Sequence, residues 1–221
     1  MRFRNRTHAG QQLASRLTAY AHRHGVVVLA LPRGGVPVAV EVARVLDAPL
    51  DVFVVRKLGV PGHPELAMGA IATGGVRVLS ENLIDELEVP RSLVEEITVR
   101  ERLELDRRER LYRAGRPTPV LTGCSVILVD DGLATGSTME AAVAAVRMQK
   151  PARVVVAAPV GAPETCDRLG QIADEVVCVE RPAAFSAVGH WYERFDQVTD
   201  AEVIESCHQS MTGDCVSSPR S

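Results

Sequence analysis

Apolar runs of strand length alternate with segments of helical periodicity along most of the chain. The apolar runs lie at residues 26–31, 51–55, 126–129, 153–158 and 175–179. Apolar side chains at every third or fourth position predict helices at residues 8–23, 39–46, 90–112, 137–148 and 163–172. Continuously apolar strands are typical of sheets buried on both faces. The order therefore predicts an α/β fold, in which helices flank a central, mainly parallel sheet with right-handed crossovers.

Two segments depart from this alternation. Residues 67–79 contain two short apolar stretches around a glycine pair, which predicts a β-hairpin. Glycine and proline are concentrated in residues 57–64, which predicts a long loop. Residues 1–206 are then expected to form one domain, and the polar, serine-containing stretch 207–221 a disordered tail.

Composition narrows the class of protein. The chain has 221 residues, of which 46% are hydrophobic and 24% charged, as in an ordinary globular domain. With a net charge of −3 and no apolar run of membrane length, neither a nucleic-acid nor a membrane partner is expected. The mixture of arginine and glutamate in residues 90–112 is interpreted as a solvated, salt-bridged helix. Five cysteines without C-x-x-C spacing predict reduced thiols in a cytoplasmic protein, rather than a zinc ribbon or a disulfide framework.

The most informative segment is Val-Ile-Leu-Val-Asp-Asp-Gly-Leu-Ala-Thr-Gly-Ser-Thr, at residues 126–138. An apolar strand leads here into two acids, a loop of small residues and the start of a helix, and ligands bind at the carboxyl ends of parallel strands. Glycines let backbone N–H groups approach a phosphate, hydroxyls add donors, and the helix start adds a favourable dipole. The residues that offer these features are Gly132, Thr135, Gly136, Ser137 and Thr138.

Asp130 and Asp131 cannot serve that phosphate, because carboxylates repel it. They need hydroxyl groups or a cation as partners, and a ribose diol with Mg²⁺ nearby supplies both. The segment therefore predicts a sugar phosphate as the ligand. The chain contains neither a P-loop motif nor a G-x-G-x-x-G motif, which argues against a P-loop nucleotidase and against a dinucleotide-binding fold.

Residues 126–138 resemble the phosphoribosyl pyrophosphate (PRPP) motif of type I phosphoribosyltransferases, and the resemblance extends over about residues 3–203. It implies the type I fold, with a small hood and a flexible loop. It also implies that Asp130 and Asp131 hold the ribose hydroxyls, and Mg²⁺ indirectly through the bound ribose, while residues 134–138 hold the 5′-phosphate. The PRPP-binding residues implied in this way are Gly34, Gly35, Asp130, Asp131, Gly132, Ala134, Thr135, Gly136, Ser137 and Thr138.

The pyrophosphate of this donor has a candidate site after the first strand. The sequence Leu-Pro-Arg-Gly-Gly at residues 31–35 combines the positive charge of Arg33 with close N–H approach at the glycines. In the resembled family this place is the pyrophosphate loop, often with a non-proline cis peptide. Arg56 and Lys57 end the second predicted strand, and two cations there suit pyrophosphate oxygens.

The family also closes a flexible loop over the reaction centre, which would exclude water. Residues 59–67 are the candidate for this loop. Its titratable groups are His63 and Glu65, and either could assist proton transfer. The alternative is that both are surface residues without a role.

Aromatic residues are scarce, but they concentrate in residues 182–189 and 191–195, where they could stack on a planar base or plug the edge of the sheet. By resemblance to the purine enzymes, Phe185 is the base-stacking position. Ala134 replaces the acid that many purine-salvage members place two residues before the loop glycine, and no lysine occurs in residues 159–163. The chain therefore looks more like the adenine type than the hypoxanthine–guanine type, and the acceptor base stays open.

The resemblance implies transfer of a 5-phosphoribosyl group from PRPP to a nucleobase-like nitrogen acceptor, as in nucleotide salvage, with release of pyrophosphate. Dimers are usual in the family, which makes a homodimer an expectation here. Two alternatives stay open, namely a PRPP-binding regulator that transfers nothing and a partner domain of a hydrolase. The catalytic residues would be Arg33, Arg56, Lys57, Asp130 and Asp131.

Overall fold

A computed structural model describes the chain over residues 2–210, without the side chains at positions 64–65 and 208–210. The strands are β1 (Val26–Ala30), β2 (Leu50–Val52), β3 (Val55–Val60), β4 (His63–Ala72), β5 (Val76–Leu79), β6 (Ser125–Val129), β7 (Arg153–Val160) and β8 (Glu175–Glu180). The helices are α1 (Arg6–Arg16), α2 (Gly35–Leu46), α3 (Glu81–Glu86), α4 (Arg91–Arg113), α5 (Ser137–Met148), α6 (Pro163–Gly170) and α7 (Asp200–Ser210).

Five strands form one parallel sheet in the order β2-β1-β6-β7-β8. The register sets Val28 of β1 beside Ile127 of β6, and Ile127 beside Val155 of β7. Alternate side chains of these strands enter two apolar cores, one shared with α1 and α2 and the other with α5 and α6. Both faces are therefore covered, which explains why the strands are apolar throughout. The predicted α/β fold with a central parallel sheet is confirmed.

A second, smaller sheet consists of β3, β4 and β5 in antiparallel order. Its β4–β5 half confirms the hairpin predicted in residues 67–79. Helix α4 packs against β3 and β4, and α5 of the main fold also contacts all three strands. This hairpin unit therefore stands at one end of the parallel sheet and forms a hood.

The prediction of a long loop at residues 57–64 is wrong. Val60 of β3 pairs with His63 of β4, so only the two residues between them turn the chain. Gly62 adopts a positive φ of 79°, which such a tight turn requires. Glycine and proline here indicate a short turn, and the candidate flexible loop 59–67 is the tip of a hairpin.

The strand predicted at residues 51–55 is also wrong in extent, because two strands of different sheets lie there. The Phe53 N–H donates to the carbonyl of Ala30 in the main sheet at 2.9 Å. The carbonyl of the next residue, Val54, accepts from the Thr73 N–H in the hood at 2.9 Å. The sequence stays apolar where the chain passes from the main sheet to the hood, because both sheets bury this segment.

Helix α4 confirms the interpretation of residues 90–112 as a salt-bridged helix. In the described part of the chain, no helix has both the length and the apolar character needed to cross a membrane. The ion pairs made by α4 include Arg91–Glu81, Arg91–Asp85, Arg77–Glu95, Arg56–Glu101, Arg100–Glu101, Arg107–Glu104, Arg108–Glu104 and Arg113–Asp51.

The predicted end of one helix and the predicted start of the tail need correction. The helix predicted at residues 8–23 ends at Arg16, and a short 3₁₀ helix, Thr18–Tyr20, follows it. Helix α7 continues to Ser210, so the first residues of the predicted tail 207–221 are helical, and the remainder lies outside the described residues. Reduced thiols are found, as predicted, at Cys166, Cys178 and Cys207.

Candidate sugar-phosphate site

The two candidate ligand loops lie side by side because the strands that lead into them are neighbours. Strand β1 runs into the loop at residues 31–35, and β6 runs into Asp130 and Asp131. The Leu31 N–H donates to the carbonyl of Val129 at 2.9 Å, which ties the two strand ends together. Both predicted parts of the site are thus at one carboxyl edge of the sheet.

The first loop touches the acids through its glycines. Its peptide bond between Pro32 and Arg33 is cis, as the resemblance implied. A Cβ atom at Gly34 would lie 2.0 Å from Oδ2 of Asp131, and one at Gly35 would lie 2.6 Å from a backbone oxygen of β6. Only glycine fits between the loop and the second acid without moving one of them.

The two carboxyl groups are mostly shielded from solvent at this edge. Burial raises the pKa of Asp130 well above its usual range, and the charge of Asp131 adds to the effect. Burial also raises the pKa of Asp131, although the guanidinium of Arg6 opposes this. Oδ1 of Asp130 accepts a hydrogen bond from the Asp131 N–H at 2.8 Å. Hydroxyl donors or a cation would favour the ionised form of such a pair, which suits a ribose diol.

Arg6, in the first turn of α1, holds the second acid. Its Nε and one terminal nitrogen both lie 2.8 Å from Oδ2 of Asp131, and the two side chains are only 11% and 15% exposed. The guanidinium stacks over Phe195, 3.9 Å from the ring centroid, and donates to the carbonyl of Asp196 at 2.6 Å. The Tyr192 hydroxyl donates to the Asp131 carbonyl at 2.6 Å, so the backbone of this acid is fixed as well.

A cavity of about 160 Å³ lies beside the acids, within the loop between β6 and α5. Its volume is several times the ~30 Å³ that a water molecule occupies in the liquid, which leaves room for a phosphate group. Gly136, with φ of 77°, directly precedes α5, and the start of that helix faces the cavity. The helix dipole and N–H groups there favour an anion. The lining residues are Asp130, Gly132, Leu133, Ala134, Thr135, Gly136, Ser137, Thr138 and Met139.

Two of the predicted cations approach this edge from different elements. The Nζ atom of Lys57 in β3 lies 3.3 Å from Oγ of Ser137, so the hood lysine reaches the phosphate loop. Arg33 lies 3.9 Å from the carboxylate of Asp200 in α7, and both side chains are about 40% exposed. Positive charge is therefore present at the phosphate loop, from Lys57, and in the cis peptide loop, from Arg33.

The third predicted cation, Arg56, turns away from the phosphate loop. It forms an ion pair with Glu101 of α4 at 2.5 Å. Beside this pair, a second cavity of about 540 Å³ opens between the hood hairpin and α4, with Leu93 and Ile97 on its apolar wall. Lys57 lines the same cavity, which therefore adjoins the phosphate loop.

The aromatic residues near the end of β8 mainly close the edge of the sheet. Tyr192 is buried, so its ring is closed to a base, and the Arg6 guanidinium covers one face of Phe195, which remains 36% exposed. Phe185 is partly buried, and its role as a base-stacking residue stays a prediction. The apolar cluster that Phe185 packs against consists of Phe3, Ala9, Val160 and Tyr192.

Four residues that touch the site were not predicted from the sequence. Arg6 and Tyr192 hold the second acid, while Thr165 and Arg168 of α6 donate to carbonyl oxygens of the phosphate loop. Each lies 31 or more positions from its partner, so no local pattern marks it. Only the order of strands in the sheet brings them together.

Comparison with known proteins agrees with this geometry. Residues 65–193, more than half of the chain, match the family described as Phosphoribosyl transferase domain. Mycobacterium tuberculosis proteins of strains CDC 1551 / Oshkosh and H37Rv, provisionally named phosphoribosyl transferases, are 48% identical to the chain over 202 residues. That match covers 91% of this chain and 45% of each relative, so the chain spans about half the length of these relatives.

A solved structure extends the match to the whole fold. The crystal structure of TT1426 from Thermus thermophilus is 46% identical and superposes with a TM-score of 0.87, covering 96% of this chain and 100% of that one. The similarity therefore includes the parallel sheet, the hood and the site between them. The chain belongs to the phosphoribosyl transferase family and has the type I phosphoribosyltransferase fold.

Proposed function

We propose that the protein transfers the 5-phosphoribosyl group of PRPP to a nitrogenous base, with release of pyrophosphate. The observation that carries this proposal is the position of Asp130 and Asp131 between a phosphate-sized cavity and the cis peptide loop at residues 31–35. The acids match the ribose diol, the cavity matches the 5′-phosphate, and the loop matches the pyrophosphate.

The proposed catalysis is mainly positioning and charge stabilisation. Asp130 and Asp131 accept hydrogen bonds from the ribose hydroxyls and fix the sugar while its anomeric carbon becomes positive. Arg33, in the cis peptide loop, provides positive charge near the departing pyrophosphate. Lys57 would join it by leaving Ser137 of the phosphate loop, from which it lies 3.3 Å. Arg56 would join them only after it leaves Glu101, since the two side chains are paired at 2.5 Å.

We also propose that Mg²⁺ accompanies the donor. Among the side chains that the structure describes, no three of His, Cys, Asp or Glu are grouped so as to hold a metal ion. The cation would thus take ligands from the donor and water, with Asp130 and Asp131 holding it through the ribose hydroxyls, a mode that suits Mg²⁺. Burial raises the pKa of both acids, and a cation nearby would favour their ionised form. When bound, Mg²⁺ would neutralise charge on the pyrophosphate.

The acceptor in this proposal is nucleobase-like, and Phe185 is its stacking partner. Ala134 offers no carboxylate near the loop, so the acceptor proton must go to another group or to solvent. We propose further that the protein is a cytoplasmic homodimer that functions in nucleotide salvage.

A pyrophosphate-release screen tests the proposed transfer. Purines, pyrimidines and nicotinate-like acids are each incubated with PRPP, Mg²⁺ and the protein, and we expect release with at least one of them. Asp131→Asn should abolish this release by weakening donor binding while leaving the circular dichroism spectrum unchanged. Tight PRPP binding without release on any base would contradict transfer and support the regulator alternative.

A further inference from the structure

We infer that helix α6 positions the phosphate loop for its ligand, with Thr165 and Arg168 as the positioning residues. The inference rests on the proposed function, because it assumes that the loop binds the 5′-phosphate of a sugar. It adds two residues from a different part of the chain, neither of which lines the cavity.

The contacts consist of two side-chain donors and two consecutive carbonyl groups. The Thr165 hydroxyl donates to the carbonyl oxygen of Ala134 at 2.6 Å. A terminal nitrogen of Arg168 donates to the carbonyl oxygen of Thr135, also at 2.6 Å. Both carbonyls are therefore drawn toward α6.

Leu133, which precedes Ala134 in the loop, is held by the end of β7 and the connection to α6. The Leu133 N–H donates to the carbonyl of Val160 at the end of β7, and the Leu133 carbonyl accepts from the Ala162 N–H, both at 2.9 Å. Backbone hydrogen bonds hold Leu133, and the side chains of Thr165 and Arg168 hold the two residues that follow it.

This arrangement controls where the loop N–H groups point. In a trans peptide the C=O and the following N–H point in opposite directions. When Thr165 draws the Ala134 carbonyl toward α6, the Thr135 N–H is directed to the opposite side, and Arg168 does the same for Gly136. In the described part of the chain, no backbone carbonyl accepts a hydrogen bond from these two N–H groups. The loop N–H groups are thus available to an anion. The loop carbonyl oxygens, which would repel the anion, point away from it.

Packing reinforces the hydrogen bonds. Thr165 is 3% exposed, and its methyl carbon occupies the space beside Gly136, where an added Cβ would lie only 2.5 Å from it. Arg168 also forms an ion pair with Glu140 in the first turn of α5 at 3.1 Å. Helix α6 therefore holds the loop and the start of the following helix in one geometry.

Three variants test the inference by their affinity for ribose 5-phosphate in calorimetry. Thr165→Val keeps the shape of the side chain and removes the donor, Thr165→Ser keeps the donor, and Arg168→Gln removes the charged donor. We expect affinity to fall on the order of tenfold for Thr165→Val and for Arg168→Gln, and to remain near the wild-type value for Thr165→Ser. Arg168 is 54% exposed on its side chain, so its variant should fold even if Thr165→Val does not.

Matched controls remove similar hydrogen bonds elsewhere. The Thr122 hydroxyl donates to the carbonyl of Gln149 at 3.1 Å, and Arg147 donates to the carbonyl of Ile172 at 3.2 Å while pairing with Asp174. Neither Thr122 nor Arg147 lines the phosphate cavity. Thr122→Val and Arg147→Gln should therefore bind ribose 5-phosphate like the wild type.

The outcomes separate this inference from the proposed function. Wild-type affinity in folded Thr165→Val and Arg168→Gln, or equal losses in the two control variants, would overturn the positioning role alone. A wild-type protein that binds neither ribose 5-phosphate nor PRPP would overturn the proposed function and the inference with it. Loss in the two α6 variants with recovery in Thr165→Ser is the expected result.

Discussion

Arg6 and Asp131 are 125 positions apart in the chain and form an ion pair of 2.8 Å at the carboxyl end of β6. The pair joins the first helix to the second acid of the sugar-phosphate site. Gly34 packs against the same carboxylate, so this acid is in contact with both the N-terminal helix and the cis peptide loop. Its orientation is therefore set before any ligand arrives.

Removing Arg6 should destabilise the protein. In Arg6→Gln, the Asp131 carboxylate keeps its burial and loses its charged partner, which costs about 3–5 kcal/mol of unfolding free energy at neutral pH. Urea denaturation measures this difference. Arg91→Gln, which removes exposed ion pairs with Glu81 and Asp85, is the control and should cost less than about 1 kcal/mol. Equal stabilities for the two variants would contradict the role of Arg6.

The space between Gly34 and Asp131 allows a sharper test of the site. In Gly34→Ala the new methyl would lie 2.0 Å from Oδ2 of Asp131, so the acid must move away from its place. The backbone φ of −60° at Gly34 is open to alanine, which leaves this contact as the main effect. We expect ribose 5-phosphate affinity to fall at least tenfold, a loss of about 1.4 kcal/mol.

Gly170→Ala is the matched control, because nothing lies within 4 Å of its added Cβ. It should bind ribose 5-phosphate like the wild type and be equally or more stable. If Gly34→Ala also binds normally, Asp131 does not contribute to the sugar site.

The two lysines of the chain provide another matched pair. Lys57 lies 3.3 Å from the Ser137 hydroxyl at the phosphate cavity, whereas Lys150 lies in the connection between α5 and β7. We expect Lys57→Met to weaken PRPP binding about tenfold, through loss of a charge-assisted contact, and Lys150→Met to have no effect. The dependence of PRPP affinity on salt should also become less steep in Lys57→Met. Identical affinities in the two variants would show that the hood lysine does not reach the ligand.

A buried acid away from the site should make stability depend on pH. Burial raises the pKa of Asp51 to about 6, while Arg113, at 2.8 Å, and Arg116 lower it and Glu109 raises it. Because the folded protein holds this proton more tightly than the unfolded chain, the contribution of Asp51 to stability is complete below about pH 4. It decreases as the pH rises to about 6 and is constant above that value.

The comparison that isolates this acid is between the wild type and Asp51→Asn. We expect the wild type to lose, relative to the variant, on the order of 3 kcal/mol of unfolding free energy between pH 4 and pH 7. Urea denaturation at both pH values gives the difference. A difference that stays constant with pH would mean that Asp51 titrates normally.

The parts of the fold that follow from local sequence could be predicted. The strand, acids, loop and helix of residues 126–138 are contiguous, so their pattern predicts the order of elements around the phosphate cavity. The prediction of a long loop at residues 57–64 is wrong, because glycine and proline are typical of both tight turns and long loops. Only the pairing of the flanking strands distinguishes the two. Arg6 and Thr165 could not be assigned, since their partners become neighbours only when the sheet order is known.

The pairing of the N-terminal segment with residues near 192 has a consequence for synthesis of the chain. The Phe3 N–H donates to the carbonyl of Trp191, the Glu193 N–H donates to the carbonyl of Phe3, and Phe3 is fully buried in this contact. Arg6, Tyr192 and Asp131 converge directly beside it. We therefore expect that a nascent chain holds its second aspartate loosely until residues 191–196 emerge from the ribosome, so that ligand affinity develops only late in translation.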